Sequence, residues 1–345
     1  MMLLAGWVCV AGGQPTVYEL DGSGWIAARE PEPGSDEAMI AESMRLLAEG
    51  KPGAARSLLR PWVKRHRKRG HPLMPQALLA LGDAKLMAGN PYQALFDYED
   101  LLTFYAESPE FFDALERELE IGKAYAGGTF TRRFLGILNM GATRELVEEL
   151  LTRVAMRAPG SDVAERAHLE LADYYYRTRD LTFAAEAYEL FVTNFPQSRH
   201  RAYALQRQIL ANLGRFKGPR HDASVLVEAS GLIDRFRRDY PLQAQEAGLS
   251  DALQARIDES LGAQMLEAAD WYQRRGDLVA ARFQLQRLVV KHPRTVAAAR
   301  GRELLALRGW EDPSRPAPVE PPAAEVPTAP AEAEPDGDDS AEATP

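Results

Sequence analysis

The sequence predicts an all-α protein made of stacked helical hairpins. From about residue 36 to residue 307, apolar residues recur at helical spacing, and clusters of Gly, Pro or Asp interrupt them roughly every 15 to 20 residues. The same residue types also return at fixed offsets in separate copies, which is typical of proteins built from repeats. These two observations predict a string of about six helix pairs.

Three copies carry the repeat most clearly. They begin at the small residues Gly82, Ala172 and Ala269, where the two helices of a pair must approach closely. The positions shared by the last two copies are Tyr175 and Tyr272 at +3, Ala184 and Ala281 at +12, and Pro196 and Pro293 at +24; the first copy has Gly89 at +7, Ala94 at +12 and Tyr98 at +16. Small residues allow close packing, the tyrosine fills the space between hairpins and the proline ends the second helix. A period near 34 residues predicts a tetratricopeptide-type solenoid over residues 36–309.

Weaker copies fill the rest of this region. A first hairpin is expected between Ala38 and Trp62, with Ser35 or Asp36 as the N-cap of its first helix. Two further copies are displaced by insertions at residues 127–141 and 214–222. All three are needed to reach six pairs.

The chain begins with an apolar segment, residues 1–13, that resembles the centre of an export signal without its basic start. Cys9, the single cysteine, is a candidate lipidation site, although Trp7 and Val8 fit a lipobox poorly; a processed signal with an incidental cysteine is the favoured alternative. Residues 14–35 are expected to form a short hairpin around Asp21-Gly22 and then a linker.

Residues 310–345 form a tail rich in Pro, Ala and Glu. Such a composition cannot bury enough apolar surface to offset its ordering entropy, so we expect disorder. From Pro313 onward the tail carries eight acidic residues and one arginine, a net charge of −7 out of the −9 of the whole chain. The nearly neutral remainder makes nucleic acid an unsuitable partner.

Convergent polar groups of the kind that enzymes need are absent from the sequence pattern. The six histidines are scattered without metal-ligand spacing, and neither a phosphate-cradling glycine motif nor a nucleophile motif occurs. The sequence therefore predicts a non-enzymatic protein that needs no cofactor and no metal.

Charged residues on the first helix of each hairpin are the best candidates for binding. The residue after the small one is acidic in the three clear copies (Asp83, Asp173 and Asp270), and in two of them an arginine follows four residues later. These charges either pair along their own helix or line a groove that holds an extended peptide. The candidate partner-binding residues are Asp173, Tyr176, Arg177, Asp270, Gln273 and Arg274.

A family resemblance follows from two segments. Residues 164–247 contain the tyrosine-rich stretch 173–176, the ending Asn-Phe-Pro-Gln-Ser at 194–198 and a long insertion before Asp234. Together with the last hairpin at 268–276, this segment resembles the BamD family of outer-membrane assembly lipoproteins, over roughly residues 36–307. The resemblance implies a periplasmic scaffold at the outer membrane that helps to assemble β-barrel proteins, with outer-membrane assembly factors or extended peptides as partners.

Two other functions remain open. One is a tetratricopeptide adaptor in the envelope or the cell-division machinery, or in the cytoplasm, with no part in barrel assembly. The other is an enzyme, such as one that processes peptidoglycan, that uses the hairpins as a cover. No residue pattern supports the enzyme, and an in-frame extension before Met1 with basic residues and a better lipobox would favour envelope anchoring.

Overall fold

The computed structural model describes residues 18–21, 24–27, 31–67, 70–134, 138–141 and 144–313. The expected export segment with Cys9, and the tail beyond residue 313, lie outside the described residues. Within them the chain forms fourteen α-helices and two β-hairpins. No described helix combines the length and the apolar character that crossing a membrane requires.

Each β-hairpin has two short antiparallel strands. Strands β1 (Tyr18–Asp21) and β2 (Gly24–Ala27) pair where the sequence suggests a hairpin. Strands β3 (Thr131–Phe134) and β4 (Leu138–Gly141) lie inside the insertion at residues 127–141, for which the sequence analysis predicted no strands.

The helices alternate with short turns along the chain. Their bounds are α1 Asp36–Ala48, α2 Pro52–His66, α3 Met74–Met87, α4 Pro91–Phe104, α5 Phe111–Ala126, α6 Arg144–Arg157, α7 Asp162–Arg177, α8 Leu181–Asn194, α9 Arg201–Arg215, α10 Ser224–Asp239, α11 Pro241–Glu246, α12 Asp251–Arg274, α13 Leu278–Lys291 and α14 Val296–Leu307. Ser35 is the N-cap of α1, since its Oγ accepts a hydrogen bond from the Ala38 amide at 3.1 Å.

The helices fall into two compact units. Unit 1 contains α1 to α11, and unit 2 contains α12 to α14 with the loop at residues 218–223. In unit 1 every helix from α1 to α10 packs against the next one in the chain, and the first helices of successive hairpins also touch, α1 with α3, α3 with α5 and α5 with α7. In unit 2, α12 packs against both α13 and α14. The all-α hairpin fold is therefore confirmed, with six pairs ending at α13; the division into 1–13, 14–35, 36–309 and 310–345 stays a prediction.

The small residues of the repeat lie where the helices meet. Ala94, Ala184 and Ala281 are each 0% exposed. Gly82 is buried too, and a Cβ atom added to it would lie 2.3 Å from the Tyr98 ring. Close helix contact at these positions is thus a property of the structure as well as of the sequence pattern.

The turn inside each hairpin needs a left-handed backbone at one position. Gly89 and Gly276 adopt φ values of +74° and +79° there. In the copy that begins at Ala172 the same position is Arg179, with φ of +65°. The glycines are therefore explained by this turn, and the arginine takes the conformation at a cost on the order of 1 kcal/mol.

Candidate protein-binding surfaces

Asp173 on α7 joins three helices. Its Oδ1 accepts a hydrogen bond from the Tyr188 hydroxyl on α8 at 2.5 Å and another from the Tyr203 hydroxyl on α9 at 2.9 Å. Burial raises the pKa of the Tyr188 phenol, and the hydrogen bond to Asp173 raises it further. The phenol therefore stays protonated and continues to donate to the carboxylate.

The copy that begins at Gly82 has the same arrangement. The Tyr98 hydroxyl on α4 donates to Asp83 Oδ1 at 2.7 Å, and Arg117 Nε on α5 donates to the same oxygen at 3.0 Å. In both copies the aspartate holds the second helix of its own hairpin and the first helix of the next. This acidic position is therefore a structural tie between hairpins.

The expected pairing along one helix does not occur. Arg177 donates to Glu170 Oε1 at 2.8 Å instead of to Asp173, whose carboxylate accepts from the two phenols. Asp270 and Arg274 form no ion pair with each other either. The interpretation of these residues as i,i+4 pairs is wrong, because the aspartate of the α7 copy faces the neighbouring helices and not the next turn of its own helix.

Tyr176 and Arg177 contribute to a surface that we call the α7 patch, with Arg207 of α9 as its third member. The guanidinium carbon of Arg207 lies 4.7 Å from the centre of the Tyr176 ring and 5.2 Å from that of Tyr203. These distances suit cation–π attraction, which fixes the orientation of both side chains. The patch thus combines a half-buried aromatic ring with two arginines, which suits a partner with both apolar and acidic groups.

Asp270 differs from its counterparts because Leu285 occupies the place of the donating tyrosine on α13. Its carboxylate forms no hydrogen bond or ion pair with a described residue, and it is only half-buried. Gln273 is also half-buried, and its Nε2 is enclosed without an acceptor among the described residues. Asp270 is thus available to a ligand in a way that Asp173 is not.

Arg274 lines a groove of about 540 Å³ in unit 2, which we call the α12 groove. Its lining residues are Pro219, Arg220, Gln264, Glu267, Ala268, Trp271 and Arg274. Trp271 is 45% exposed, and the Arg275 guanidinium carbon lies 4.5 Å from its ring. On the other side Arg220 Nε is 3.5 Å from Glu267 Oε2. An exposed tryptophan with charged groups around it has the composition of a protein-binding hot spot.

The sequence analysis missed both the tryptophan and the groove. Trp271 directly follows Asp270, but the spacing of acidic and basic residues along the helix does not point to it. The loop at residues 218–223 was interpreted only as part of an insertion. The sequence carried no signal for the exposure of Trp271, because it depends on which face of α12 the neighbouring helices cover.

A cluster of charged residues in unit 1 was also missed. Glu118 on α5 is 0% exposed, and neither of its carboxyl oxygens has a hydrogen-bond partner among the described residues. Arg157 of α6 approaches it to 4.0 Å, while Glu99 of α4 is paired with both Arg153 and Arg157. Burial, with the nearby Glu99 charge second, raises the pKa of the Glu118 carboxyl to about 8.

No group of three His, Cys, Asp or Glu side chains within the described ranges is arranged to hold a metal ion. What the described surfaces offer is side chains suited to polypeptide: aromatic rings, guanidinium groups and carboxylates on successive helices. The fold and these surfaces define a class, the helical-hairpin repeat proteins that bind other proteins.

The family comparison agrees with this class. Residues 139–307 match the family model YfiO, described as an outer membrane lipoprotein. The match confirms the resemblance over those residues, from β4 to the end of α14, and it includes the α7 patch and the α12 groove. It supports a protein-interaction scaffold associated with the envelope.

Two solved structures are similar in part. A kinesin light chain protein with nearly identical TPR-like repeats from Podosopora anserina is 18% identical, covers 61% of this chain and 95% of its own, and has a TM-score of 0.33. The C-terminal part of a TPR repeat-containing protein from Cytophaga hutchinsonii is 11% identical, covers 78% of this chain and 88% of its own, and has a TM-score of 0.39. The comparison with curated proteins found no match to this sequence.

Proposed function

We propose that the chain is a non-enzymatic scaffold of the bacterial envelope that binds proteins during outer-membrane β-barrel assembly. The observation that carries the proposal is the α12 groove, with Trp271 and Arg274, inside the segment that matches the outer membrane lipoprotein family. The groove offers what an extended polypeptide needs, an apolar ring for a side chain and charged groups for the backbone or for acidic residues.

The α7 patch supports the same proposal in unit 1. Tyr176 and Arg177 lie on the first helix of their hairpin, as Trp271 and Arg274 lie on α12. Arg177 and Arg274 occupy the same position of the repeat, five residues after Ala172 and Ala269, so each unit offers an arginine there to a partner. Of the six candidate residues, Tyr176, Arg177, Asp270 and Arg274 are assigned to binding. Asp173 is assigned to the fold. Asp270 and Gln273 do not line the α12 groove; Asp270 is assigned to binding because its carboxylate has no described partner, and Gln273 is not assigned.

Envelope location and peripheral association with the outer membrane are parts of this proposal. They rest on the description of the matched family and on the apolar segment at residues 1–13 with Cys9. Metabolic labelling of the full chain with a fatty-acid analogue, compared with a Cys9→Ser variant, tests the lipid anchor directly.

The binding proposal is tested by crosslinking pull-down from outer-membrane extract. The wild-type chain should capture barrel-assembly proteins, and the Trp271→Ala with Arg274→Glu variant should lose them. Arg256→Glu is the matched control, because Arg256 is an exposed arginine on the same helix away from the groove. Capture of the same proteins by the groove variant would contradict the proposal, provided that circular dichroism shows all variants folded.

A further inference from the structure

The end of unit 2 carries a concentration of positive charge. Residues 271–310 contain nine Arg and Lys and only two acidic residues, a net charge of +7. Glu303, one of the two acids, is already paired with Arg300 at 2.6 Å. Arg287, Lys291 and Arg294 are exposed and form no ion pair with any residue that the structure describes. This part of unit 2 therefore has cations that no described acid neutralises, although the chain before the tail is nearly neutral overall.

An apolar stripe lies among these cations on α13. Val279, Phe283 and Val290 follow one another along the helix and are 82%, 57% and 56% exposed. Arg282 borders the stripe on one side and Arg287 on the other, since they lie on either side of it at 100° per residue. The Arg287 guanidinium carbon is 5.5 Å from the centre of the Phe283 ring. We call this surface the α13 face. An exposed apolar stripe of this kind, bordered by charged residues, is typical of a surface that binds another segment or molecule.

The last described residues already run onto the α13 face. After α14 ends, Trp310 packs against the core of unit 2. The carbonyl oxygen of Glu311 then accepts a hydrogen bond from Gln286 Nε2 of α13 at 3.0 Å, and its carboxylate lies 3.9 Å from Arg282. The chain therefore reaches the edge of the apolar stripe at the point where the acidic tail begins.

From these observations we infer that the acidic tail of this chain, residues 314–345, binds the α13 face. The tail has the complementary composition: seven net negative charges from Pro313 onward, and Val, Ala and Pro between the acids. A 32-residue segment spans up to about 100 Å when extended, and α13 is only about 21 Å long, so the tail can reach every part of the face. The binding is an extended, charge-driven contact that needs no packed core of its own, and it does not depend on the proposed role in barrel assembly.

Energy transfer within the full chain tests the inference. Donor and acceptor dyes are placed on cysteines introduced at exposed Ala299 of α14 and at Ser340 of the tail, in a Cys9→Ser background. At low salt the transfer should be high, and 1 M NaCl should reduce it because ions screen the attraction. Arg282→Glu with Arg287→Glu should reduce transfer at low salt to the high-salt value.

The matched control is Arg60→Glu with Lys64→Glu, the same charge change at two exposed positions of α2 in unit 1. It should leave the transfer at the wild-type level. A labelled peptide of residues 314–345 should also bind the chain truncated after Pro313. Arg282→Glu with Arg287→Glu, which we call the α13 reversal, should weaken that binding roughly tenfold or more.

Three results would overturn the inference. One is equal transfer in the wild type and the α13 reversal; another is an equal loss in the α2 control. The third is crosslinking of two chains through a cysteine at Phe283 while tail transfer is unaffected by the reversal, because a second copy would then be the occupant. Circular dichroism of each variant separates these results from unfolding.

Discussion

Asp173 and Asp270 occupy the same position in two copies of the repeat, but only Asp173 has hydrogen-bond donors. Replacing Asp173 with Ala leaves the hydroxyls of Tyr188 and Tyr203 without their acceptor, so we expect a loss of about 1 to 3 kcal/mol in the free energy of unfolding. Asp270→Ala removes a carboxylate that has no partner and should change the free energy by less than about 0.5 kcal/mol. Urea unfolding of the two variants makes the comparison, and equal destabilisation by both would contradict the assigned tie.

Glu118 makes stability depend on pH. Its folded pKa of about 8 lies above the ordinary value, so the folded protein holds this proton more tightly than the unfolded chain does. The resulting stabilisation is complete below the ordinary pKa of 4.5 and is lost as the pH rises through about 8. Glu118→Gln keeps a neutral side chain at every pH and should therefore flatten the decline in stability between about pH 5 and pH 8.

Thermal unfolding of Glu118→Gln across this pH range is the measurement, with Glu107→Gln as the control. Glu107 is an exposed carboxylate without a described partner, so its replacement should leave the pH profile as in the wild type. A Glu118→Gln profile parallel to the wild-type one would show that the buried carboxyl is ionised at neutral pH.

At the scale of the helices, glycine has opposite roles in α3 and α10. A Cβ at Gly82 would lie 2.3 Å from the Tyr98 ring, whereas one at Gly231 would meet no atom within 4 Å. Gly82→Ala should destabilise the protein by about 1 to 3 kcal/mol through overpacking. Gly231→Ala should stabilise it by up to about 1 kcal/mol, because alanine is the better helix former. An unchanged or higher melting temperature for Gly82→Ala would contradict the helix contact at Gly82, and a lower one for Gly231→Ala would contradict the open position in α10.

The helices were predictable and the strands of the insertion were not. Apolar spacing together with the repeated Ala, Tyr and Pro positions located the hairpins, because close helix contact needs small residues wherever it occurs. The segment at residues 131–141 has no long alternating pattern, so nothing marked β3 and β4. The use of Asp173 depends on Tyr203, thirty residues away on the next hairpin, and spacing along one helix cannot reveal such a contact.

For the whole molecule, the first question is what the tail contributes to stability. Contacts driven by charge are screened at physiological salt, so truncation after Pro313 should change the melting temperature by less than about 2 °C. The helical circular dichroism signal per residue of 31–313 should also stay the same. A drop of several degrees that persists in 1 M NaCl would show that the tail packs into the fold instead of binding by charge.

The candidate partner-binding residues were only partly predictable from the sequence. Arg274 was found from its spacing, whereas Trp271 needed the structure, because exposure of an aromatic residue depends on which face the neighbouring helices cover. The envelope setting belongs to the proposed function, which rests on the match of residues 139–307 to an outer membrane lipoprotein family.

Site-specific photocrosslinking tests the central claim that the α7 patch and the α12 groove bind a protein partner. A benzophenone amino acid is introduced at Tyr176, at Trp271 and, as a control, at Val227, an exposed residue of α10 outside both surfaces. After irradiation of cells that make the full chain, we predict crosslinks from positions 176 and 271 to outer-membrane assembly proteins or to unfolded barrel chains, and none from position 227. Crosslinks to those proteins from position 227 alone, or from none of the three, would contradict the account.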